Sequence, residues 1–332
     1  MKKYKGQRIL GVMSEISVSE RIKFYIGKAW TNQEPPNIHF SLFDNPFKID
    51  EQSPSRFHYD EDIVRYYQLS ENKSLWFCCG DQPYIGTNYP VLVKTRDTFN
   101  KQSTGIIANL NKKRHWTMHP SSDIIWEDKK SNVFWRGADT GHNMHFNERI
   151  NFVEKYFNVY DVAFSDYSQN IKTHSPLYKK EWLKGFSGVT EFLEYKYLPV
   201  IDGNDKSSSL NWILASNSVP IMPSPRYHSW LCEHLLQPYT HYVPVKRDFS
   251  NLGKVLDWCL NNDSKCKEIA KNGKNFMMNF SDKDQESYIE KEIINRIEEF
   301  QKNNNWAEVT KKGKITGVTG QDDVFPAYEQ TR

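Results

Sequence analysis

From residue 130 onward the apolar positions fall in a repeated order: a short β-branched or aromatic run, a polar loop, then a stretch with helical spacing. Apolar runs at 133–136, 159–164, 197–201, 219–222 and 242–245 predict strands. Segments 148–157, 188–195, 227–236 and 252–261 between or after them predict helices. Strands alternating with helices imply an α/β fold with a parallel sheet covered on both faces, and such sheets hold ligands beyond the carboxyl ends of their strands. The earlier part is less regular, with a helix expected over 17–29 and strands over 75–79, 90–94 and 105–110. Two helices follow the repeated units, over 264–279 and 283–302, the second with Ser281 or Asp282 as N-cap. The pattern divides the chain into an N-terminal domain (1–129), a C-terminal domain (130–282), a closing helix (283–303) and a polar, mobile tail (304–332).

Composition narrows the class. The chain has 332 residues, enough for two ordinary domains, and its 38% hydrophobic and 26% charged content is that of a folded globular protein. A net charge of +3 is too small for a protein that tracks nucleic acid by its phosphates. No stretch of about 18 apolar residues predicts a membrane span. The basic start lacks the apolar core of a signal peptide, so the chain reads as cytoplasmic. Five cysteines, Cys78, Cys79, Cys232, Cys259 and Cys266, fit neither a disulfide framework nor a zinc spacing and read as reduced thiols.

The candidate chemistry is densest between residues 196 and 245. There a strand runs into Asp202, Gly203, Asn204, Asp205 and Lys206, and Ser207, Ser208 and Ser209 then open a helix. A helix start presents unpaired N–H groups and the positive end of its dipole, so this loop suits a phosphate; serine caps an ordinary helix equally well. Glu233, one unit later, suits ribose hydroxyls or is a surface acid. Arg136 and Gly137 end a strand at the ligand-bearing face, where an Arg can fork onto two diphosphate oxygens or pair with an acid such as Asp128. Asp81, after the strand at 75–79, is either a general base across a cleft or a turn residue beside Gly80 and Pro83. His142 and His145 lack a third ligand at a convincing spacing, and Asp282-Lys283-Asp284 is explained better as a helix cap than as a metal string. No metal is therefore expected. The basic cluster 111–116, with Trp116, is a solvated loop or a contact for an anionic membrane surface at the inner face of the membrane.

Taken in order, these motifs resemble glycosyltransferase family 90, which includes capsule-associated, lipopolysaccharide-modifying and Rumi-type protein O-glucosyltransferases. The resemblance runs over about residues 75–280. It is carried by WEDKKSNVFWRGADTG (126–141), Asn147-Glu148-Arg149, EYKYLPVIDGND (194–205), LNWILASNSVPIMP (210–223), Glu233 and LLQPYTHYVPVKRDFSNL (235–252). It implies a GT-B fold, with two Rossmann-like domains facing a cleft, the nucleotide sugar on the C-terminal one and the C-terminal helices packing back on the N-terminal one. It also implies inverting, metal-independent transfer from a UDP-sugar to a glycan or lipopolysaccharide/capsule precursor, without a cofactor. Asp81 matches the aspartate that serves as general base in the animal members, Arg136 the Arg of the family's Trp/Phe-Arg-Gly motif, Arg149 the Arg of the next helix, and residues 204–209 its donor-phosphate loop. Ser209 stands where animal members carry an Arg, so either Lys206 supplies that charge or the diphosphate is neutralised differently. The residues alone also admit a metal-dependent transferase, a nucleotide-sugar hydrolase, or a non-catalytic nucleotide- or carbohydrate-binding protein.

Overall fold

Five strands build the larger sheet: β5 (Lys130–Gly137), β6 (Asp161–Phe164), β7 (Tyr195–Pro199), β8 (Val219–Met222) and β10 (Val243–Pro244). They lie in the order β10-β8-β7-β5-β6 with every pairing parallel. The computed structural model describes residues 16–27, 65–66, 68–71, 75–78, 81, 90–99, 103–110, 123–141 and 148–303. Expectations placed on Cys79, His142, His145, residues 111–116 and the tail 304–332 lie outside the described residues.

Parallel strands need crossovers, and helices supply them on both faces. Val133 and Trp135 of β5 enter one core and Phe134 the other, as the two-residue period of a strand requires. The Trp135 side is covered by α2 (Glu148–Tyr156), α5 (Leu252–Asn261) and one side of α6 (Asp263–Met278), through Phe152, Leu252 and Ile269. The Phe134 side is covered by α3 (Val189–Phe192) and α4 (Ser209–Leu214), through Phe192 and Ile213. The expected helix over 227–236 does not form. A two-residue strand β9 (Tyr227–His228) and a single 3-10 turn (Glu233–Leu235) stand in its place, with Cys232 at a left-handed φ of 56° between them. Cys232, Cys259 and Cys266 are free and buried.

A second parallel sheet, in the order β1-β2-β4, comes from β1 (Trp76–Cys78), β2 (Val91–Val93) and β4 (Ile106–Ile107). Among the links that join it to the larger one are a strand pairing and a helix contact. Strand β3 (Arg96–Asp97), continuing from β2, pairs antiparallel with β9, and Arg226 grips Asp97 through two hydrogen bonds of 3.0 and 2.7 Å. The final helix α7 (Lys283–Asn303) packs on α1 (Val18–Ile26). Asp282 Oδ1 caps α7 by accepting from the amides of Asp284 and Gln285, and Ser17 and Glu20 form a reciprocal capping box on α1.

The α1–α7 contact holds a buried ion pair. Arg21, with no exposed side-chain surface, donates to both Glu286 oxygens at 2.5 and 2.8 Å, and Asn109 Nδ2 donates to the same carboxylate at 2.6 Å. Removing one member leaves an uncompensated buried charge, at a cost of about 3–5 kcal/mol, whereas an apolar pair of similar volume can be neutral. Arg21→Ala is therefore expected to lower unfolding stability by about 3–5 kcal/mol, read from the urea midpoint. The double change Arg21→Met with Glu286→Leu should recover much of that loss.

Candidate active site

Strand order reverses beside β5. From β5 the chain crosses to β6 on one side, then returns to β7 on the other, so the loops after β5 and β7 diverge and leave a crevice at the carboxyl edge. The loop after β7 carries Asp202 to Ser208, and hydrogen bonds tie it to the loop after β5. Gly141 N donates to Asn204 Oδ1 at 3.0 Å, and Asn204 Nδ2 continues to Gln169 Oε1 at 3.0 Å. Asp139, buried at the end of β5, accepts from the amides of Ser168, Gln169, Asn170 and Ile171 and so fixes the loop after β6.

Arg149, near the start of α2, lies across the crevice. Its guanidinium donates to Ala138 O at 3.1 Å, Thr140 Oγ1 at 2.7 Å and Ile201 O at 3.1 Å, and its buried Nε has no partner. Burial lowers its proton affinity, opposed by the carboxylates of Asp202, Asp81, Asp205 and Asp139. Gly203 is what lets the arginine in: a Cβ there would come within 2.7 Å of Thr140 Oγ1 and 3.0 Å of an Arg149 terminal nitrogen.

A second charge cluster centres on Lys94, directly after β2. Its ammonium donates to Asp81 Oδ1 at 2.5 Å and to Asp205 Oδ1 at 2.8 Å, and Thr95 Oγ1 donates to Asp205 Oδ2 at 3.1 Å. Lys94 and Asp205 are buried, while the Asp81 side chain is partly open at 28%. Burial raises the proton affinity of Asp205; Lys94 opposes this and Asp81 adds to it. A third cluster joins Glu148, Asp202 and Arg247, with Arg247 Nη1 3.6 Å from Glu148 Oε1 and 3.4 Å from Asp202 Oδ2. Burial, then the Asp202 charge, pushes Glu148 up to about 7, and Glu148 Oε2 is buried without a partner. Burial also raises Asp202.

The remaining sequence candidates divide sharply. Lys206 is buried, donating to Asn211 Oδ1 at 2.9 Å, Ser229 Oγ at 2.9 Å and Glu233 Oε1 at 2.6 Å. Glu233 in turn accepts from the Ser229 amide at 2.6 Å, and its acidity is strengthened by Lys206 against the effect of burial. These two help to line a cleft of about 310 Å³, open solvent at its mouth included, whose walls also include Val200, Leu210, Met222 and Tyr227. Ser207 and Ser209 hydroxyls are 2.8 Å apart, and Ser208, the N-cap of the six-residue α4, makes no side-chain cap bond. Arg136 is not brought to this group. Its guanidinium turns back along the sheet to Asp161 Oδ1 at 2.5 Å and Asp161 O at 2.9 Å, stacked over Phe134. Gly137 packs against Trp135, where a Cβ would come within 2.7 Å of the indole. Among the described residues no group of three His, Cys, Asp or Glu side chains is arranged for a metal ion.

Sequence reasoning missed Lys94, Arg247 and the unpaired Glu148 oxygen. Lys94 had a legible signal, a cation closing the apolar run Val91–Val93 at the end of a parallel strand; Arg247 lies three residues beyond β10, after Lys246.

The model of glycosyl transferase family 90 matches residues 91–313. This chain belongs to that family, and it is a glycosyltransferase. It is 31% identical to O-glucosyltransferase LpsA of Dichelobacter nodosus over 233 residues, covering 69% of this chain and 68% of the relative. It is 26% identical to protein O-glucosyltransferase 2 of Danio rerio over 211 residues, covering 61% of this chain but 39% of that protein. Human protein O-glucosyltransferase 3 is 27% identical over 154 residues, 45% of this chain and 28% of its own length. No described helix is long and apolar enough to cross a membrane.

Glu148 gives a pH test of the geometry. Its folded-state value of about 7 lies above the ordinary 4.5, so the folded chain binds that proton more tightly than the unfolded one. The contribution is complete below 4.5 and is lost as pH rises through 7. Glu148→Gln should therefore flatten the stability profile across that window, with a wild-type-minus-variant difference changing by on the order of 2 kcal/mol between its ends, followed by urea unfolding at a series of pH values.

Proposed function

We propose that this chain is an inverting, metal-independent glycosyltransferase that moves a sugar from a UDP-sugar to a hydroxyl of a glycan or lipid-linked saccharide precursor. One observation carries the reading: the Lys94 ammonium, 2.5 Å from Asp81 and 2.8 Å from Asp205, ties the candidate base to the loop that would hold the donor diphosphate. On this reading the chain has a GT-B arrangement, with 1–129 on the acceptor side, 130–282 on the donor side and α7 strapping the two. The nucleoside lies in the cleft beside Met222 and Tyr227, and the diphosphate lies over residues 203–208. The names of the relatives make glucose the first sugar to test.

The reaction is a single displacement. The acceptor oxygen attacks the anomeric carbon as its proton passes to the Asp81 carboxylate, and the bond from that carbon to the diphosphate breaks on the opposite face. UDP leaves with the electron pair, which inverts the anomeric centre. Arg149 and Arg247, fixed before the reaction starts, oppose the charge growing on the leaving oxygen. Lys206 and Glu233 shape the cleft floor instead of binding donor, because each holds the other.

General base assistance is typically worth about 10²–10⁴-fold. Asp81→Asn is expected to lower turnover by that factor while leaving UDP affinity, measured by calorimetry, close to wild type; turnover within tenfold of wild type removes Asp81 from the role. Chelator should leave the rate of the wild-type enzyme unchanged. Calorimetry also separates the two arginines: Arg149→Ala should weaken UDP binding by tenfold or more, and Arg136→Ala should change it by less than threefold, in line with about 1.5–3 kcal/mol for a hydrogen bond to a charged group.

A further inference from the structure

The two acids that Lys94 joins belong to different parts of the machinery. Asp81 follows β1 in the smaller sheet, and Asp205 lies on the loop after β7 in the larger one. One ammonium serves both, at 2.5 and 2.8 Å. We propose that Lys94 is a positioning residue that aims the Asp81 carboxylate and, through the charge it shares with Asp205, sets how strongly that carboxylate holds a proton. This rests on Asp81 being the base of the reaction proposed above.

A strut alone would not need this arrangement. The two sheets are already held together close by, through the Asp97–Arg226 fork and the β3–β9 pairing. Thr95 and Lys94 both hold Asp205, so the loop keeps one anchor when the other is removed. What those contacts leave to Lys94 is the charge balance. Asp81 faces Lys94 directly, with Asp205 across that ammonium and the Arg149 guanidinium within electrostatic range. A cation beside a carboxylate favours its ionised form, and a second carboxylate opposes this. A base gripped by a lysine alone would be aimed but weak. The Asp205 charge offsets part of that grip, so the carboxylate stays oriented and can still accept the proton of an acceptor hydroxyl.

Opposite signs follow for the two partners, and the acid limb of the kcat profile reads them. Lys94→Gln removes the cation and should move that limb to higher pH by roughly one to three units. Asp205→Asn removes the competing charge and should move it to lower pH. Lys94→Arg keeps the cation and should keep the limb in place even where turnover falls. Limbs that stay at the wild-type pH in both Lys94→Gln and Asp205→Asn, while turnover drops, overturn the proposal and leave Lys94 a strut. If Lys94→Gln does not fold, as judged by circular dichroism, Asp205→Asn decides alone, since it leaves every cation in place. Failure of the underlying reading is separate: it appears as an Asp81→Asn enzyme that retains turnover, whatever the limbs do.

Discussion

Two carboxylates from different sheets, Asp81 and Asp205, meet at one buried ammonium that the smaller sheet supplies. Taking a carboxylate out of water costs several kcal/mol even after the protein relaxes, and the cost is met only when a partner of opposite charge is close and well aligned. Lys94 meets that condition for Asp205, which has almost no exposed surface, and extends it to Asp81, which opens toward the solvent. The geometry of the cleft follows. For Asp205 to reach Lys94, the loop after β7 must lean toward the end of β2. That tilt places Gly203 against Arg149 and Asn204 beside Gly141.

Why the cleft forms here is a matter of topology before chemistry. The strand order sends successive connections to opposite sides of β5, so a gap opens between the loops after β5 and β7 wherever this order occurs. Such gaps expose backbone amides and carbonyls that no strand partner satisfies. Here the side chains of Asp139, Arg149 and Asn204 satisfy much of that backbone. The same side chains fix the walls of the cleft before any donor arrives, which is the condition for electrostatic stabilisation without reorganisation during the reaction.

How much of this was legible depended on whether the deciding force was local. Strand β8 and helix α5 fall on the segments expected, because each is an apolar run or an amphipathic period bounded by clear breakers. The segment 227–236 misled. Its spacing of Tyr227, Leu231 and Leu235 suits a helix, yet pairing of β9 with β3 captures its first residues and Glu233 turns back to bond the Ser229 amide. Both are long-range or side-chain decisions that periodicity does not carry. The site divides the same way. Gly203 and Arg149 could be singled out by residue type and motif, but which cation meets which acid is a question of approach between distant segments. The Asp81–Lys94–Asp205 chain spans 13 and 111 residues of sequence, and no spacing rule reaches that far.

The charge missing where Ser209 stands in place of an Arg turns on the same question of approach. Sequence left two answers open, substitution by Lys206 or neutralisation from elsewhere. Lys206 is not a spare cation; Glu233, Ser229 and Asn211 receive its donors. Drawing it out toward a phosphate would strand Glu233 as a buried unpaired charge, a penalty of about 3–5 kcal/mol. That exceeds the roughly 1.5–3 kcal/mol gained from one charged hydrogen bond, so the exchange is unfavourable by its own arithmetic. The second answer has cations at hand, because Arg149 and Arg247 approach the same loop from α2 and from the end of β10. Arg247 is already within reach of two acids, Glu148 and Asp202, whose proton affinity burial has raised. An arriving diphosphate competes with those acids for the guanidinium, and the acids can yield by taking up protons. Donor binding that draws on Arg247 should therefore be accompanied by proton uptake at Glu148 and Asp202, whereas binding supported by Lys206 would leave those two undisturbed and protonate Glu233 instead. Calorimetric UDP titrations in buffers of different ionisation enthalpy, run on the wild type and on Glu148→Gln, distinguish the two, because the uptake falls in that variant only where Arg247 is drawn on.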